Sequence, residues 1–214
     1  MRPSIFAFAV LLLLLAATAH GEVDRAANDS FVIVFNQSVD AAPAKVYAAI
    51  TRIDQWWSSD HTYSGDASNL SLGADAGGCW CERWKDGSVD HGRVILAMRD
   101  KLLRVQTALG PLQSKAVNGV LTFQLKPEGG STLLTLSYRV NGSAASALDK
   151  DAPPVDKVLG EQFARLVRYI EKGKPAEWAR VQTSGTTLMT SSAVVMPLSI
   201  LAAPETRSGF IPSR

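Results

Sequence analysis

Cysteine is scarce in this chain, with two in 214 residues. That excludes a small scaffold stapled by several disulfides. Charge of one sign is missing too. Lys and Arg number 22 against 20 Asp and Glu, a net charge of +2, so no strong basic field awaits nucleic-acid phosphates. No period repeats along the chain, which excludes a solenoid or propeller. No phosphate-cradling Gly loop, nucleophile elbow or zinc-protease helix is present. What the chain does have is 46% hydrophobic residues, enough for the core of one domain of ordinary size.

The first residues read as a leader. Arg2 supplies a short positive region, and the stretch 5–17 is apolar, with five consecutive leucines from Leu11 to Leu15. Ala17-Thr18-Ala19 has the small-x-small form of a signal-peptidase site, so residues 1–19 are expected to be a cleaved signal peptide. The apolar run falls short of the about 20 residues that a membrane span needs. The expected location is therefore the periplasm or the exterior. Residues 20–29 are small and polar and are expected to be a flexible lead-in. At the other end, Thr183 to Pro204 carries no charge, and its apolar part is broken by Pro197. Residues 175–214 are thus expected to form a poorly ordered tail with no integral membrane span.

Between these ends the periodicity changes twice. Phe31 to Phe35 (FVIVF) is β-branched and aromatic, as in a buried strand. After Pro43, the residues Val46, Ile50, Ile53 and Trp57 recur at helical spacing. From Leu70 to Val140 short segments alternate, giving a run of about six antiparallel strands. Then Val155, Leu159, Phe163, Leu166 and Ile170 line one face of a helix of about 17 residues, stopped by Lys172 and Gly173. The expected fold class is α+β, a helix-grip in which a curved antiparallel sheet wraps a long C-terminal helix. A gap between the two is a natural site for a small apolar ligand.

One hairpin can be read by counting. If Asp86-Gly87 is its two-residue loop, Glu82 faces His91 and Trp80 faces Arg93. One face then carries Trp80, Glu82, Trp84, Val89, His91 and Arg93, with Glu82 and His91 hydrogen-bonded and Arg93 lying on Trp80. Two readings stay open. The pair is an ordinary cross-strand contact, or it orients a ligand or moves a proton inside an apolar cavity. Cys79 and Cys81 point the same way in a regular strand, a poor geometry for a disulfide unless the backbone buckles. They read as small residues at a close packing point beside Gly77-Gly78. His61 and His91 lack the spacing that would make a metal site with them. In the second aromatic group Trp57 belongs to the helix stripe, leaving Trp56 and Tyr63 for a ligand. Asp60-His61 is a solvated pair or an acid–base unit.

The order of these elements resembles the SRPBCC superfamily, also called START-like or helix-grip proteins, in its branches named for polyketide cyclases and for the chaperone-ATPase activator homology domain. The likeness rests on Val39-Asp-Ala-Ala-Pro-Ala-Lys-Val-Tyr-Ala-Ala-Ile50, Trp56-Trp57, Gly77-Gly-Cys-Trp-Cys-Glu82, His91-Gly-Arg-Val94, the strand Leu121 to Leu125 and the helix Val155 to Ile170. It spans residues 30–174. The resemblance implies a hydrophobic cavity between sheet and last helix that takes lipids, sterols, polyketides or other apolar molecules. Some members catalyse cyclisation or hydrolysis, and no catalytic residue is universal.

The expected function is an exported protein holding a hydrophobic small molecule, with a cyclase- or hydrolase-type enzyme as the alternative. The expected cavity wall is Trp56, Tyr63, Trp80, Trp84, Phe123, Leu136, Tyr138 and Phe163. Glu82, His91 and Arg93 would fix polar ends, with no metal or cofactor.

Overall fold

A computed structural model describes residues 22–175. The expected leader 1–19 and the tail beyond residue 175 lie outside the described residues. Eight strands form one antiparallel sheet: β1 (Glu22–Ala27), β2 (Ser30–Val39), β3 (Leu70–Leu72), β4 (Cys79–Trp84), β5 (Gly87–Met98), β6 (Leu102–Thr107), β7 (Asn118–Glu128) and β8 (Ser131–Asn141). Their order across the sheet is β1-β2-β8-β7-β6-β5-β4-β3. Helices α1 (Pro43–Thr51) and α2 (Ile53–Trp56) connect β2 to β3, and α3 (Leu148–Lys172) closes the domain. This is the helix-grip arrangement. The lead-in differs from expectation: residues 22–27 form an edge strand, because their backbone pairs with β2.

The core is the concave face of the sheet. Alternation along β2 buries Phe31, Ile33 and Phe35; along β8 it buries Leu134, Leu136, Tyr138 and Val140; along β7 it buries Leu121, Phe123 and Leu125. Against them α3 presents Leu159, Phe163, Leu166 and Ile170. Each large side chain buried in this way contributes about 1.5–3 kcal/mol. Gly119 has no room for a Cβ, which would meet Tyr138 Oη at 2.8 Å. That close approach lets the Tyr138 hydroxyl donate to the Thr107 carbonyl at 3.1 Å and accept from the Leu109 amide at 3.2 Å.

α3 is longer than its stripe indicates. It begins at Leu148, whose amide donates to the Asn28 carbonyl at 2.9 Å, and contains Pro153 and Pro154. A Pro-Pro pair reads as a helix start because it supplies no amide donors, yet here five residues precede it. The other end follows expectation: Gly173, at φ 76°, donates its amide to the Tyr169 carbonyl.

The hairpin register also differs. The loop is Lys85-Asp86, so Trp84 pairs with Gly87 and Glu82 with Val89. A bulge then leaves His91 as an extra residue, because Cys81 pairs with Asp90 while Trp80 pairs with Gly92.

Candidate functional site

The sheet and α3 do not meet everywhere. Between β4, β5 and the first turns of α3 lies a cavity of about 390 Å³. Trp57, Leu70, Trp80, Leu109, Pro111, Pro154, Val155, Val158 and Leu159 give it apolar walls, while His61, Thr62, Tyr63, His91 and Asp151 add polar groups. Trp57 and Trp80 meet edge to face, with ring centroids 5.0 Å apart. The imidazole of His91 stands 5.7 Å from the rings of both Trp80 and Tyr63.

Behind His91 sits Glu82, with no exposed surface. Its carboxylate accepts three N–H groups: the Ser64 amide at 2.5 Å on Oε1, and the Tyr63 amide at 3.1 Å and His91 Nε2 at 2.9 Å on Oε2. Burial alone raises a carboxyl pKa, but here the hydrogen bonds from Ser64, Tyr63 and His91 outweigh it and hold Glu82 below its ordinary value. Glu82 thereby fixes the 62–64 loop to the sheet and fixes the imidazole at the cavity wall.

Further polar contacts involve residues that line the cavity. Tyr63, 52% exposed, brings its hydroxyl to 3.3 Å from both the Gly110 carbonyl and Gln113 Oε1. Lys115 pairs with Asp151, joining the Gly110–Lys115 turn to α3. His61 Nε2 lies 3.5 Å from Glu161 Oε2.

Of the residues expected at the wall, Tyr63, Trp80 and His91 line the cavity, and Glu82 supports it from behind. The others lie elsewhere. Trp56, 2% exposed, is core and donates its indole N–H to the Ala49 carbonyl, while Trp57 takes the cavity position. The reason is a break at Arg52, which ends α1 and restarts the chain as α2, so the stripe counted through Trp57 changes phase. Phe123, Leu136 and Phe163 are plugged into the core. Tyr138 is fully buried there, its hydroxyl occupied by backbone groups and its pKa pushed up to about 12 by burial. Trp84 packs over Gly87 and is not among the cavity residues. Arg93 faces outward and pairs with Asp90 rather than lying on Trp80, because the shifted register sets it opposite Cys79.

Cys79 and Cys81 form a disulfide, contrary to the reading of two small thiols. Two residues of extended strand span roughly 6.6 Å. Here the Cα atoms are 5.3 Å apart, within disulfide range, where the ladder shifts between Trp80 and Cys81. Asp90 sits close to both sulfurs, but sulfurs bonded to each other are not thiolate ligands.

No family model matches the chain, and no curated protein matches it. Solved structures do. SA2116 of Staphylococcus aureus, a protein of unknown function, is similar at 13% identity and TM-score 0.50 over 68% of this chain and 96% of that one. CalU16 from Micromonospora echinospora is similar at 19% identity and TM-score 0.47 over 69% and 78%. The Aha1 dimer from Colwellia psychrerythraea is similar at 22% identity and TM-score 0.48 over 67% and 98%. At such identities the likeness concerns the fold alone.

Proposed function

We propose that this domain binds a small, predominantly apolar molecule between the sheet and α3. One observation carries the reading: a hollow of about 390 Å³, walled by two indoles and by Val155, Val158 and Leu159, that the side chains of the described residues leave unfilled. Its size and its few polar groups are those of a ligand pocket. Native mass spectrometry of purified protein should reveal a co-purifying lipid or aromatic compound, and an environment-sensitive fluorophore should bind and be displaced by apolar competitors. A ligand-free mass together with no fluorophore binding defeats the proposal.

The same reading places the domain outside the cytoplasm. Its supports are the leader ending at Ala17-Thr18-Ala19 and a disulfide of the kind that persists in oxidising compartments. N-terminal sequencing of the protein from fractionated cells should begin at His20. Finding residues 1–19 retained on a cytosolic protein excludes export.

A second reading is favoured by the 2.9 Å contact between Glu82 and His91 at the cavity wall: a hydrolase-type enzyme with His91 as general base. Hydrolysis of 4-nitrophenyl esters that disappears in His91→Gln supports it. Rates equal to buffer alone with every ester weigh against it.

A further inference from the structure

We propose that the cavity selects apolar molecules carrying a hydroxyl group, and that Nδ1 of His91 is the acceptor that reads the hydroxyl proton. The proposal rests on the binding reading above and names the ligand's polar feature.

The hydrogen-bond accounting around Glu82 leads there. The amides of Tyr63 and Ser64 can only donate, and both donate to this carboxylate. Both oxygens are therefore acceptors, and these hydrogen bonds favour the ionised carboxylate, which has no proton of its own to give His91. The contact between His91 Nε2 and Glu82 Oε2 must then be an N–H on the imidazole donating to the carboxylate. In a neutral imidazole the other nitrogen is a bare acceptor. Nδ1 has no hydrogen-bond partner among the described residues, although the side chain is 8% exposed and lines the cavity. The flanking rings of Tyr63 and Trp80 offer faces and edges at 5.7 Å rather than a donor to this nitrogen.

A hydrocarbon in this cavity would cover Nδ1 and leave it unpaired, whereas a hydroxyl would pair it. Leaving a buried acceptor unmade lowers affinity, and the difference corresponds to about ten-fold in Kd or more. An ether at the same position brings an oxygen without a proton and cannot pair Nδ1. His91 also borders a second hollow of about 210 Å³ beside Gly92, Gln106 and Asn118. If Nδ1 served that side, occupants of the main cavity would show no hydroxyl preference.

The test is a matched series of fused-ring probes on the full chain: 2-naphthol, naphthalene and 2-methoxynaphthalene, titrated against the unmodified protein and His91→Leu. The expected result is that 2-naphthol binds about ten-fold tighter than either of the others, and that this preference vanishes in His91→Leu. As a second readout that needs no variant, the ¹⁵N resonance of His91 Nδ1 should shift on adding 2-naphthol and stay in place with naphthalene. Equal affinity for all three probes, or a preference that survives in His91→Leu, overturns the hydroxyl proposal and leaves apolar binding standing. If none of the probes binds the unmodified protein, both fall together.

Discussion

The two ends of the space between sheet and α3 are built from the same helix and the same sheet, yet one is full and the other open. At the full end Phe163 stacks on Phe35 with centroids 5.5 Å apart, and Leu166 and Ile170 close the remaining gaps. Gly160 marks the boundary, since a Cβ there would come within 3.2 Å of the Phe35 ring. At the open end Val155, Val158 and Leu159 face Trp57, Trp80 and His91 across the cavity. The full end uses large side chains that interlock, and Phe35, Phe163, Leu166 and Ile170 carry no titratable group. The open end combines smaller aliphatic residues on the helix with indoles on the opposite side and a charged carboxylate behind the wall. The contrast teaches that dense packing and open volume are spatially separated here, so substitutions at the two ends should fail in different ways.

The largest effect is expected at the full end. Phe163→Ala removes a stacked ring from a site with 1% exposure and should cost about 3–5 kcal/mol, because packed surroundings relax only partly around the void. Urea denaturation monitored by circular dichroism measures it. A loss below about 1 kcal/mol would mean the two ends are less different than their packing indicates.

Next is Glu82→Gln, at the back of the open end. A Gln amide offers one acceptor oxygen where the carboxylate offered two to three N–H donors, so a buried donor is stranded at a cost of about 1–3 kcal/mol. The folded protein holds the Glu82 pKa below its ordinary value, so the charged form contributes stability above the unfolded pKa and loses it as pH falls through the lower folded value. The gap between Glu82→Gln and the parent should therefore be widest near pH ~7 and narrow below pH ~4. Parallel denaturation curves at the two pH values decide it. A gap that stays constant with pH removes Glu82's charge from the account.

At the mouth side of the cavity the prediction changes kind. Val158→Trp places a large ring in the cavity from a half-buried helix position, where it displaces ligand and not core. Stability should change by less than about 1 kcal/mol, while affinity for an apolar probe falls more than about ten-fold. Isothermal titration beside a melting curve separates the two. A protein that loses stability and keeps its binding would place the ligand elsewhere.

Most of the frame was legible from the sequence, because hydrophobic period is a local signal. Period two along 31–35 and 121–140 and period 3.6 along 155–170 each name a buried face without reference to partners. The site was less legible, because it depends on where periodicity is interrupted. The break at Arg52 exchanged the roles of Trp56 and Trp57. The hairpin loop fell one residue earlier than Asp86-Gly87, and the bulge at His91 then offset part of that shift. Glu82 and His91 therefore meet as counted, as diagonal neighbours and not as a directly opposed pair, whereas Arg93 does not meet Trp80. The disulfide depended on the same irregularity in the ladder. Which turns of α3 are packed and which border a hollow is not written in its stripe: Leu159 and Phe163 carry the same pattern, and only the opposing residues distinguish them.

The smallest effect is expected at the ion pair across the mouth. Lys115 and Asp151 are partly exposed, with 34% and 16% of their side-chain surfaces open, and water and salt screen such a pair to about 0.2–1 kcal/mol. Lys115→Ala should therefore leave the melting curve almost unmoved. Its consequence should be kinetic, because the pair joins the Gly110–Lys115 turn, which follows Leu109 at the cavity wall, to the turn of α3 that carries Asp151. Release of a bound fluorophore, followed by stopped flow, should quicken by about two- to five-fold, roughly the rate equivalent of 0.4–1 kcal/mol. Raising salt should quicken release from the parent protein in the same direction and leave Lys115→Ala unchanged. If Lys115→Ala instead unfolds the domain, the mouth belongs with the full end as part of the core. An unchanged release rate means that ligand leaves by a route that does not separate the turn from α3.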